Sequence, residues 1–394
     1  MYPIDSHKKN NFSILTITFA LFITISTATL ANAETFTVTR TDDRNATCNS
    51  GVDCSLREAV NAANAVPSDD TINFAPSITI ITLANEIVIN NAGTMTINGN
   101  GANVLTIDGG PGTNRIFFID KATVTISSVT LTGGNGAGTI GGNGGAIYAI
   151  GGTIVLNSIH VTANSANTAG GVYFNNGTDH QILNSTFSAN TASSCGGFYN
   201  DTSTLAVTNS TISGNSVENI GGGFCSLANT TLRHVTITAN SAGNGGGGML
   251  INLAINFPNR RTLNLGNTIV AGNTGSSTPD IRFNGGTITT AGYNLLGDNS
   301  GIETIFPAGN PNANQDIVGT SASPVNPLLG PLQNNGGTTP THALLLGSLA
   351  INVGNNAEAP VTDQRGFARI IGGTIDIGAF EYAPVKSRKR IRFF

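Results

Sequence analysis

Three carboxylates in the middle of the chain are the first residues that could do chemistry. Between residues 140 and 275 the acidic side chains are Asp179, Asp201 and Glu218. Hydrolysis of a glycosidic bond needs two carboxyl groups about 5 to 10 Å apart, so these three are the candidates for a polysaccharide lyase or glycoside hydrolase. They fall at different positions of the repeat described below, and we therefore do not expect stacking of the repeats to bring them together.

Three histidines in the same part of the chain, His160, His180 and His234, are a second candidate cluster. A catalytic role requires the groups involved to lie within hydrogen-bond reach of each other. These three also occupy different repeat positions. We interpret His234 as a substitute in an asparagine column and the other two as surface residues.

Calcium is the one ion for which the sequence offers candidate ligands, and no other cofactor is expected. The pairs Asp42-Asp43 and Asp69-Asp70 carry the oxygen ligands that calcium prefers. Acidic pairs in loops are usually solvated, and we take that as the default interpretation. The spacing of cysteines and histidines does not match a zinc site.

The elements that must position these residues repeat along the chain. Five Gly-Gly pairs recur at intervals of 26, 26, 26 and 25 residues, and an asparagine recurs at intervals of 26, 25, 25 and 33 residues. The pairs are Gly144-Gly145, Gly170-Gly171, Gly196-Gly197, Gly222-Gly223 and Gly247-Gly248. The asparagines are Asn164, Asn190, Asn215, Asn240 and Asn273. A fixed period of this size is typical of a solenoid.

Alignment on these asparagines sorts the other residues into columns. Two apolar columns are expected to fill the interior: Val161, Phe187, Ile212, Ile237 and Val270, and Leu156, Ile182, Val207, Leu232 and Leu265. A third column holds Ser158, Asn184, Asn209, His234 and Asn267. A fourth, expected to face outward, holds His160, Thr186, Thr211, Thr236 and Ile269. Stacked asparagines can form amide ladders, so the five marker asparagines together with Asn184, Asn209 and Asn267 are the expected structural residues.

Short β-rich segments with corners rich in glycine and asparagine predict an all-β fold, a single-stranded parallel β-helix of about ten rungs. Equivalent segments then pair one coil apart, about 4.8 Å from each other. The stretch "CSLREAVNAAN" predicts a short N-terminal helix that covers the first rung. Ser55 and Glu58 form a capping box, and Leu56, Ala59, Val60 and Ala63 fall on one helix face.

Composition and cysteines point to an exported protein. Charged residues make up 10% of the chain and the net charge is −4, which offers no argument for nucleic-acid binding. Cys48 and Cys54 bracket a short loop and predict a local disulfide, as an oxidising compartment allows. Cys195 and Cys225 are 30 residues apart where the repeat is about 26, and whether they pair is left open.

The first 33 residues are predicted to be a signal peptide. Lys8 and Lys9 precede an apolar run and an Ala-x-Ala site that ends at Ala33. An uncleaved anchor is the alternative. After this segment no stretch is apolar for the roughly 20 residues that a membrane-spanning helix needs, so we expect no transmembrane span in the mature chain.

Two terminal motifs resemble those of exported bacterial β-helix proteins. "CSLREAV" at residues 54–60 resembles the CSLREA motif, and "DQRGFARIIGGTIDIGAFEY" near the C-terminus resembles the choice-of-anchor Q domain. "GGAIY" at 144–148 and "FSAN" at 187–190 are similar to the GGA(I/L/V) and F-x-x-N repeats of polymorphic outer membrane proteins. The resemblance implies an exported, right-handed parallel β-helix, but it brings no established catalytic residues.

These features divide the chain into five parts. We expect a signal peptide at 1–33, a CSLREA-like cap at 34–77, β-helix repeats at 78–300, a choice-of-anchor Q-like region at 301–382 and a basic tail at 383–394. The basic residues of the tail are Lys386, Arg388, Lys389, Arg390 and Arg392. We interpret the tail as a solvated end, with contact to an anionic envelope surface as the alternative.

The functional hypothesis is an exported surface protein, located in the cell envelope, associated with the outer membrane, or secreted. We expect a monomer that is not an enzyme and that uses an extended face rich in threonine and asparagine for adhesion, or for binding a polysaccharide, a cell-surface glycan or a protein. The first alternative is a polysaccharide lyase or glycoside hydrolase that uses Asp179, Asp201 and Glu218. A purely structural envelope component is the second alternative.

Overall fold

The structure, a computed structural model, describes residues 32–112, 114–252 and 261–384. Residues 1–31 of the predicted signal peptide and residues 385–394 of the predicted basic tail lie outside the described residues. The chain winds through four parallel sheets, which we name A to D in the order in which each coil visits them. The predicted parallel β-helix is therefore confirmed.

Sheets A and B each stack ten strands along the solenoid. The strands of sheet A are Thr35–Val38, Asp70–Phe74, Thr94–Asn98, Thr123–Ser127, Thr153–Asn157, His180–Leu183, Leu205–Thr208, Thr230–Arg233, Thr262–Gly266 and Thr287–Thr290. Those of sheet B are Ile80–Thr82, Thr106–Asp108, Thr130–Thr132, His160–Thr162, Thr186–Ser188, Thr211–Ser213, Thr236–Thr238, Ile269–Val270, Leu295–Leu296 and Ile317–Val318.

Sheets C and D complete each coil. The five strands of sheet C are Ser165–Thr168, Thr191–Ser194, Ser216–Val217, Ser241–Ala242 and Thr274–Gly275. The eight strands of sheet D are Ile87–Ile89, Phe117–Asp120, Ile147–Ile150, Val172–Asn175, Phe198–Asn200, Phe224–Ser226, Met249–Ile251 and Ile281–Phe283. Because the first two strands of sheet A precede residue 78, parallel stacking begins inside the segment that we expected to be only a cap.

The interior is apolar because equivalent residues of successive coils pair in register. Val161 pairs with Phe187, and Phe187 with Ile212, so that one column continues through the stack. Both predicted apolar columns are fully buried along their whole length. Phe198 and Phe224 of sheet D stack on each other with ring centroids 4.5 Å apart. One continuous core therefore runs through the rungs.

The corner between sheets A and B explains the third predicted column. Ser158, Asn184, Asn209, His234 and Asn267 all have φ between 48° and 56°. Asparagine adopts this left-handed conformation more readily than most residues. The amide ladder in this column is short, because Asn184 donates to Asn157, and Asn209 to Asn184, before His234 interrupts the series.

The marker asparagines form a longer, buried ladder. The side-chain Nδ2 of Asn164 donates to Oδ1 of Asn190 at 3.0 Å, and the same contact recurs from Asn190 to Asn215, Asn215 to Asn240 and Asn240 to Asn273 at 2.9 Å. The last amide, that of Asn273, donates to the carboxylate of Asp280 at 2.8 Å. The amides of the ladder thus all donate in the same direction along the solenoid, and the last one donates to the buried side chain of Asp280.

The N-terminal helix, Leu56–Asn64, covers the first rung as predicted. Ser55 and Glu58 form both hydrogen bonds of the capping box. The predicted face, Leu56, Ala59, Val60 and Ala63, is buried in the core. Arg44 forms an ion pair with Glu58 and so attaches the preceding loop to the helix.

Both pairs of cysteines form disulfides. Cys48 and Cys54 are joined as predicted, and Cys195 and Cys225, which the sequence left open, are joined as well. In the described part of the chain, no helix has both the length and the apolar character needed to cross a membrane.

Residues 326–382, which we call the C-terminal arm, fold back along the outer side of sheet B. The arm contains an antiparallel hairpin, Leu329–Gln333 with Thr341–Leu344, and a short 3-10 helix, Asn356–Glu358. Gln364 is one of several attachments: its amide donates to Thr186 at 2.8 Å and accepts from the hydroxyl of Thr211 at 2.6 Å. Gly378 (φ +98°) lies so close to sheet B that an added Cβ would come within 2.7 Å of Ile269.

The arm corrects one expectation about the surface. The column that we expected to face outward does point away from the core, but the arm covers most of it. Thr186, Thr211 and Ile269 are 0% exposed, and Thr236 is 2% exposed. The long threonine face that we expected to bind a partner is therefore not accessible along these rungs.

Candidate functional site

The outer face of sheet D carries a column of aromatic residues on successive rungs. In-register pairing places Phe118, Tyr148, Tyr173 and Tyr199 next to one another. We call these four residues the aromatic strip. The rings of Tyr148 and Tyr173 are 4.9 Å apart and those of Tyr173 and Tyr199 are 4.8 Å apart, each pair edge to face. This is a favourable geometry for aromatic pairs.

Only part of the strip is open to a ligand. Phe118 and Tyr148 are buried, and the guanidinium of Arg115 lies 5.2 Å from the centroid of the Tyr148 ring. Arg115 in turn donates to the carbonyl oxygens of Asn143 and Gly144, each at 3.0 Å. The half-buried rings of Tyr173 and Tyr199 are the accessible end of the strip.

A carboxylate lies between the two accessible tyrosines. The hydroxyl of Tyr173 donates to Asp201 at 3.2 Å, and the hydroxyl of Tyr199 donates to the other oxygen of Asp201 at 3.4 Å. Burial, with a contribution from Asp201, raises the pKa of both phenols well above the usual value, so both stay protonated. Both contacts are long for O–H···O bonds, which leaves the carboxylate able to accept further hydrogen bonds.

An open groove of about 340 Å³ adjoins Tyr173 and Tyr199, and Asp201 is bonded to both tyrosines without lining the groove itself. Tyr173 and Tyr199 line it together with the Cys195–Cys225 disulfide, which follows the strip on the same face of sheet D. Leu250 continues the apolar wall, and Thr168, Ser194 and Asn252 add polar groups. The volume lies at the lower end of the range for small-molecule sites, roughly 300 to 1,000 Å³.

The arrangement suits a ligand with both apolar and hydroxylated surfaces. Aromatic rings offer a flat apolar face, and a few fixed polar groups beside them set a ligand's orientation. Sugars present C–H groups on the face of the ring and hydroxyl groups around its edge. The tyrosine rings can therefore contact the sugar face while Asp201 accepts hydrogen bonds from the hydroxyl groups.

The three predicted carboxylates do not share one site. Asp179 is exposed and lines a groove along sheet A. Its carboxylate accepts a hydrogen bond from the hydroxyl of Thr204 at 3.2 Å. Asp201 lies in the next turn between sheets D and A, beside the tyrosines. Glu218 is exposed at the other side of the coil, where it lines a groove along sheet C and accepts a hydrogen bond from Ser193.

The three histidines are also apart. His160 contacts the hydroxyl of Ser188 at 2.8 Å, and burial lowers its pKa to about 4. His180, which we expected at the surface, is fully buried: it stacks on Phe174 with ring centroids 4.8 Å apart, and burial lowers its pKa as well. His234 contacts Arg369 of the C-terminal arm at 3.1 Å. Each belongs to a different packing environment.

The side chains of the two acidic pairs considered for calcium form ion pairs or hydrogen bonds with other residues of the protein. Asp42 forms an ion pair with Arg40, and Asp43 with Arg57. Asp69 accepts from the backbone N–H of Thr94, and Asp70 from the hydroxyl of Ser68. Within residues 32–112, 114–252 and 261–384, no three His, Cys, Asp or Glu side chains converge as a metal site would require.

Sequence reasoning missed the tyrosines of the aromatic strip. The signal was present, because Tyr148, Tyr173 and Tyr199 each follow a Gly-Gly pair by two or three residues. The columns aligned on the marker asparagines lie on sheets A and B, whereas these tyrosines lie on sheet D. Cys225 and Leu250 continue the same column in the next two rungs.

Comparison with known proteins adds no assignment: no family model matches the chain, and no curated protein matches it either. We therefore infer the function from the geometry of the groove.

Proposed function

We propose that the chain is an exported surface protein, secreted or held in the cell envelope, that binds glycans in the groove beside the aromatic strip. The single observation that carries the proposal is the combination of two half-buried tyrosine rings with a carboxylate that keeps hydrogen-bonding capacity. The two disulfides support an oxidising, extracellular environment.

Binding without cleavage is the reading that the carboxylates support. Hydrolysis of a glycosidic bond needs a pair of carboxyl groups about 5 to 10 Å apart. Asp179 and Glu218 line grooves on different sides of the coil, and Asp201 has tyrosine hydroxyls as its side-chain hydrogen-bond partners. We therefore propose that these three residues do not act as such a pair.

Retention of the purified chain, from Glu34 onward, on a panel of immobilised polysaccharides tests the proposal. We expect retention on at least one glycan without new reducing ends or unsaturated uronates, with calcium present. Replacing both tyrosines, Tyr173→Ala with Tyr199→Ala, should weaken retention about tenfold or more, equivalent to about 1.4 kcal/mol.

A matched control is Tyr293→Ala, because Tyr293 is also half-buried but lines a different cavity. The control should bind as the unmodified chain does. Retention that survives loss of both groove tyrosines would contradict the proposed site. Turnover of any glycan would contradict the non-catalytic assignment, and absence of retention on every glycan would favour a structural role.

A further inference from the structure

The outer surface of the C-terminal arm is unusually apolar. Thirteen large apolar side chains are well exposed in the described chain, and eight of them lie between residues 328 and 370. They are Leu328, Leu345, Leu346, Leu349, Val353, Val361, Phe367 and Ile370. Leu346 is 84% exposed and Val361 is 89% exposed. Concentrations of this kind mark interaction surfaces.

Four charged side chains of the arm are buried instead. Asp363, Asp376 and Glu381 are completely buried, and Arg369 is 1% exposed. Arg365 pairs with Asp363 at 2.7 Å and lies over the ring of Phe380, 3.5 Å from its centroid. These charges are already buried inside the arm, so the apolar side chains of the outer surface can enter an apolar environment without transferring them.

A cavity of about 460 Å³ opens at the same surface. Leu349, Ile351 and Val353 of the arm line it on one side, and Tyr293 and Ile317 of the last coils line it on the other. The arm therefore offers both projecting apolar side chains and an apolar recess.

The sequence that follows the arm is strongly basic. Tyr382 packs against the apolar cluster of the arm, and residues 386–394 follow it closely in the sequence. This segment carries five basic side chains together with Phe393 and Phe394. Basic residues beside an apolar surface favour anionic lipids, at about 1 kcal/mol for each Lys or Arg near the bilayer.

We propose that the C-terminal arm binds the surface of an anionic phospholipid bilayer, with its exposed leucine and valine side chains in the interfacial layer. The chain has a net charge of −4, so attraction to such a surface has to be local, and the basic segment provides it. A second copy of the chain is a poorer occupant, because pairing two arms would bring two basic segments together. This attachment goes beyond the proposed glycan binding and does not depend on it.

Sedimentation with lipid vesicles tests the attachment. The chain from Glu34 to Phe394 should sediment with vesicles of phosphatidylglycerol and phosphatidylethanolamine, and much less with pure phosphatidylcholine. Leu346→Ser combined with Val361→Ser should lower the partition coefficient about tenfold, because two side chains lose their apolar contact. Changing the five basic residues of 386–392 to glutamine should also weaken binding and remove its dependence on salt.

Val52→Ser is the matched control, since Val52 is 72% exposed but lies in the N-terminal part of the chain. It should bind vesicles as the unmodified chain does. Equal binding to neutral and anionic vesicles would overturn the proposal, as would unchanged binding after the two serine substitutions. Self-association that the serine substitutions abolish, without any vesicle binding, would make a second copy the occupant.

Discussion

Two tyrosine hydroxyls donate to the carboxylate of Asp201 at 3.2 and 3.4 Å, which places a charged acceptor beside the accessible rings of the aromatic strip. A hydrogen bond from a sugar hydroxyl to a carboxylate is stronger than one to a neutral acceptor, roughly twofold in energy. We therefore expect Asp201→Asn to weaken glycan binding about tenfold while leaving the unfolding temperature nearly unchanged.

Isothermal titration with the glycan that the chain retains would measure this effect. Asp179→Asn is the control, because Asp179 is an exposed carboxylate at the same corner of the coil. If both substitutions change the affinity equally, Asp201 has no special role.

Asp280 is a second residue whose environment predicts a measurable effect. Burial raises its pKa from 3.8 to about 6, although hydrogen bonds from Asn273 and Asp298 act in the opposite direction. The unfolded chain then loses this proton near pH 4, whereas the folded chain keeps it up to about pH 6. Stability from this group is complete below pH 3.8 and is lost as the pH rises to 6, by about 3 kcal/mol.

Unfolding midpoints in denaturant between pH 3.5 and 7 would show this effect as a difference between the chain and Asp280→Asn. The variant does not titrate at this position, so the unmodified chain should lose stability relative to it as the pH rises. Parallel profiles across this window would mean that Asp280 has an ordinary pKa.

The asparagine ladder is the element that joins successive coils through buried side-chain hydrogen bonds. Asn215 is fully buried; its Oδ1 accepts from Asn190, and its Nδ2 donates to Asn240 and to the carbonyl of Phe187. Asn215→Ala removes these hydrogen bonds from the buried ladder and leaves the buried backbone N–H of Asn190 without its acceptor, which costs about 3 kcal/mol. We expect a clear fall in the unfolding temperature.

The matched control for the ladder is Asn244→Ala. Asn244 is exposed and donates to a neighbouring asparagine, Asn219, at 3.3 Å, so it has the same kind of contact without burial. Its replacement should leave the unfolding temperature within a degree or two of the original. A similar fall in both variants would show that burial does not determine the value of the ladder.

Several contacts hold the C-terminal arm to sheet B, among them those of Gln364, His342 and Ala379. Gln364 contacts Thr186 and Thr211 of sheet B and Thr339 of the arm itself, and each of these threonines is buried. Gln364→Ala removes all three contacts, so the arm should open more often. Limited proteolysis should then cut within residues 326–382 at least several-fold faster than in the unmodified chain.

Gln333→Ala provides the comparison, because Gln333 is an exposed glutamine of the arm whose amide donates to Asn335. It should leave the rate of cleavage unchanged. An arm that resists proteolysis equally in both variants would show that the apolar contacts below it, such as those of Phe380 and Ile377, are sufficient to hold it.

The elements that could be predicted from the sequence are those that repeat and those that depend on local contacts. The period places Val161, Phe187 and Ile212 in one column, and pairing in register makes that column the core. The capping helix was predictable because Ser55 and Glu58 are three residues apart and act locally. Neither inference needs knowledge of distant contacts.

The parts that could not be predicted depend on contacts between segments far apart in the chain. Gln364 and Thr186 are 178 residues apart, and no periodicity relates the arm to sheet B. The threonine column is buried because the arm packs on it. From the sequence alone the column was therefore predicted to be exposed. Asp280 was missed as the end of the ladder because it lies outside the repeat, seven residues after Asn273.

At the scale of the whole molecule, the solenoid presents two different surfaces. The accessible end of the aromatic strip lies on sheet D, whereas the C-terminal arm lies against sheet B. A glycan on the first and a bilayer on the second can therefore be bound without competition for the same residues. We expect glycan affinity to be unchanged by Leu346→Ser with Val361→Ser, and vesicle binding to be unchanged by the two tyrosine substitutions.

Amide hydrogen exchange with and without a retained oligosaccharide tests the glycan site most directly. We expect the ligand to slow exchange in the strands Val172–Asn175 and Phe198–Asn200 and in the turn that contains Asp201, with little change in sheet A between residues 123 and 157. Slowing confined to the C-terminal arm or to the groove along sheet C would contradict the assignment of the binding site to the aromatic strip.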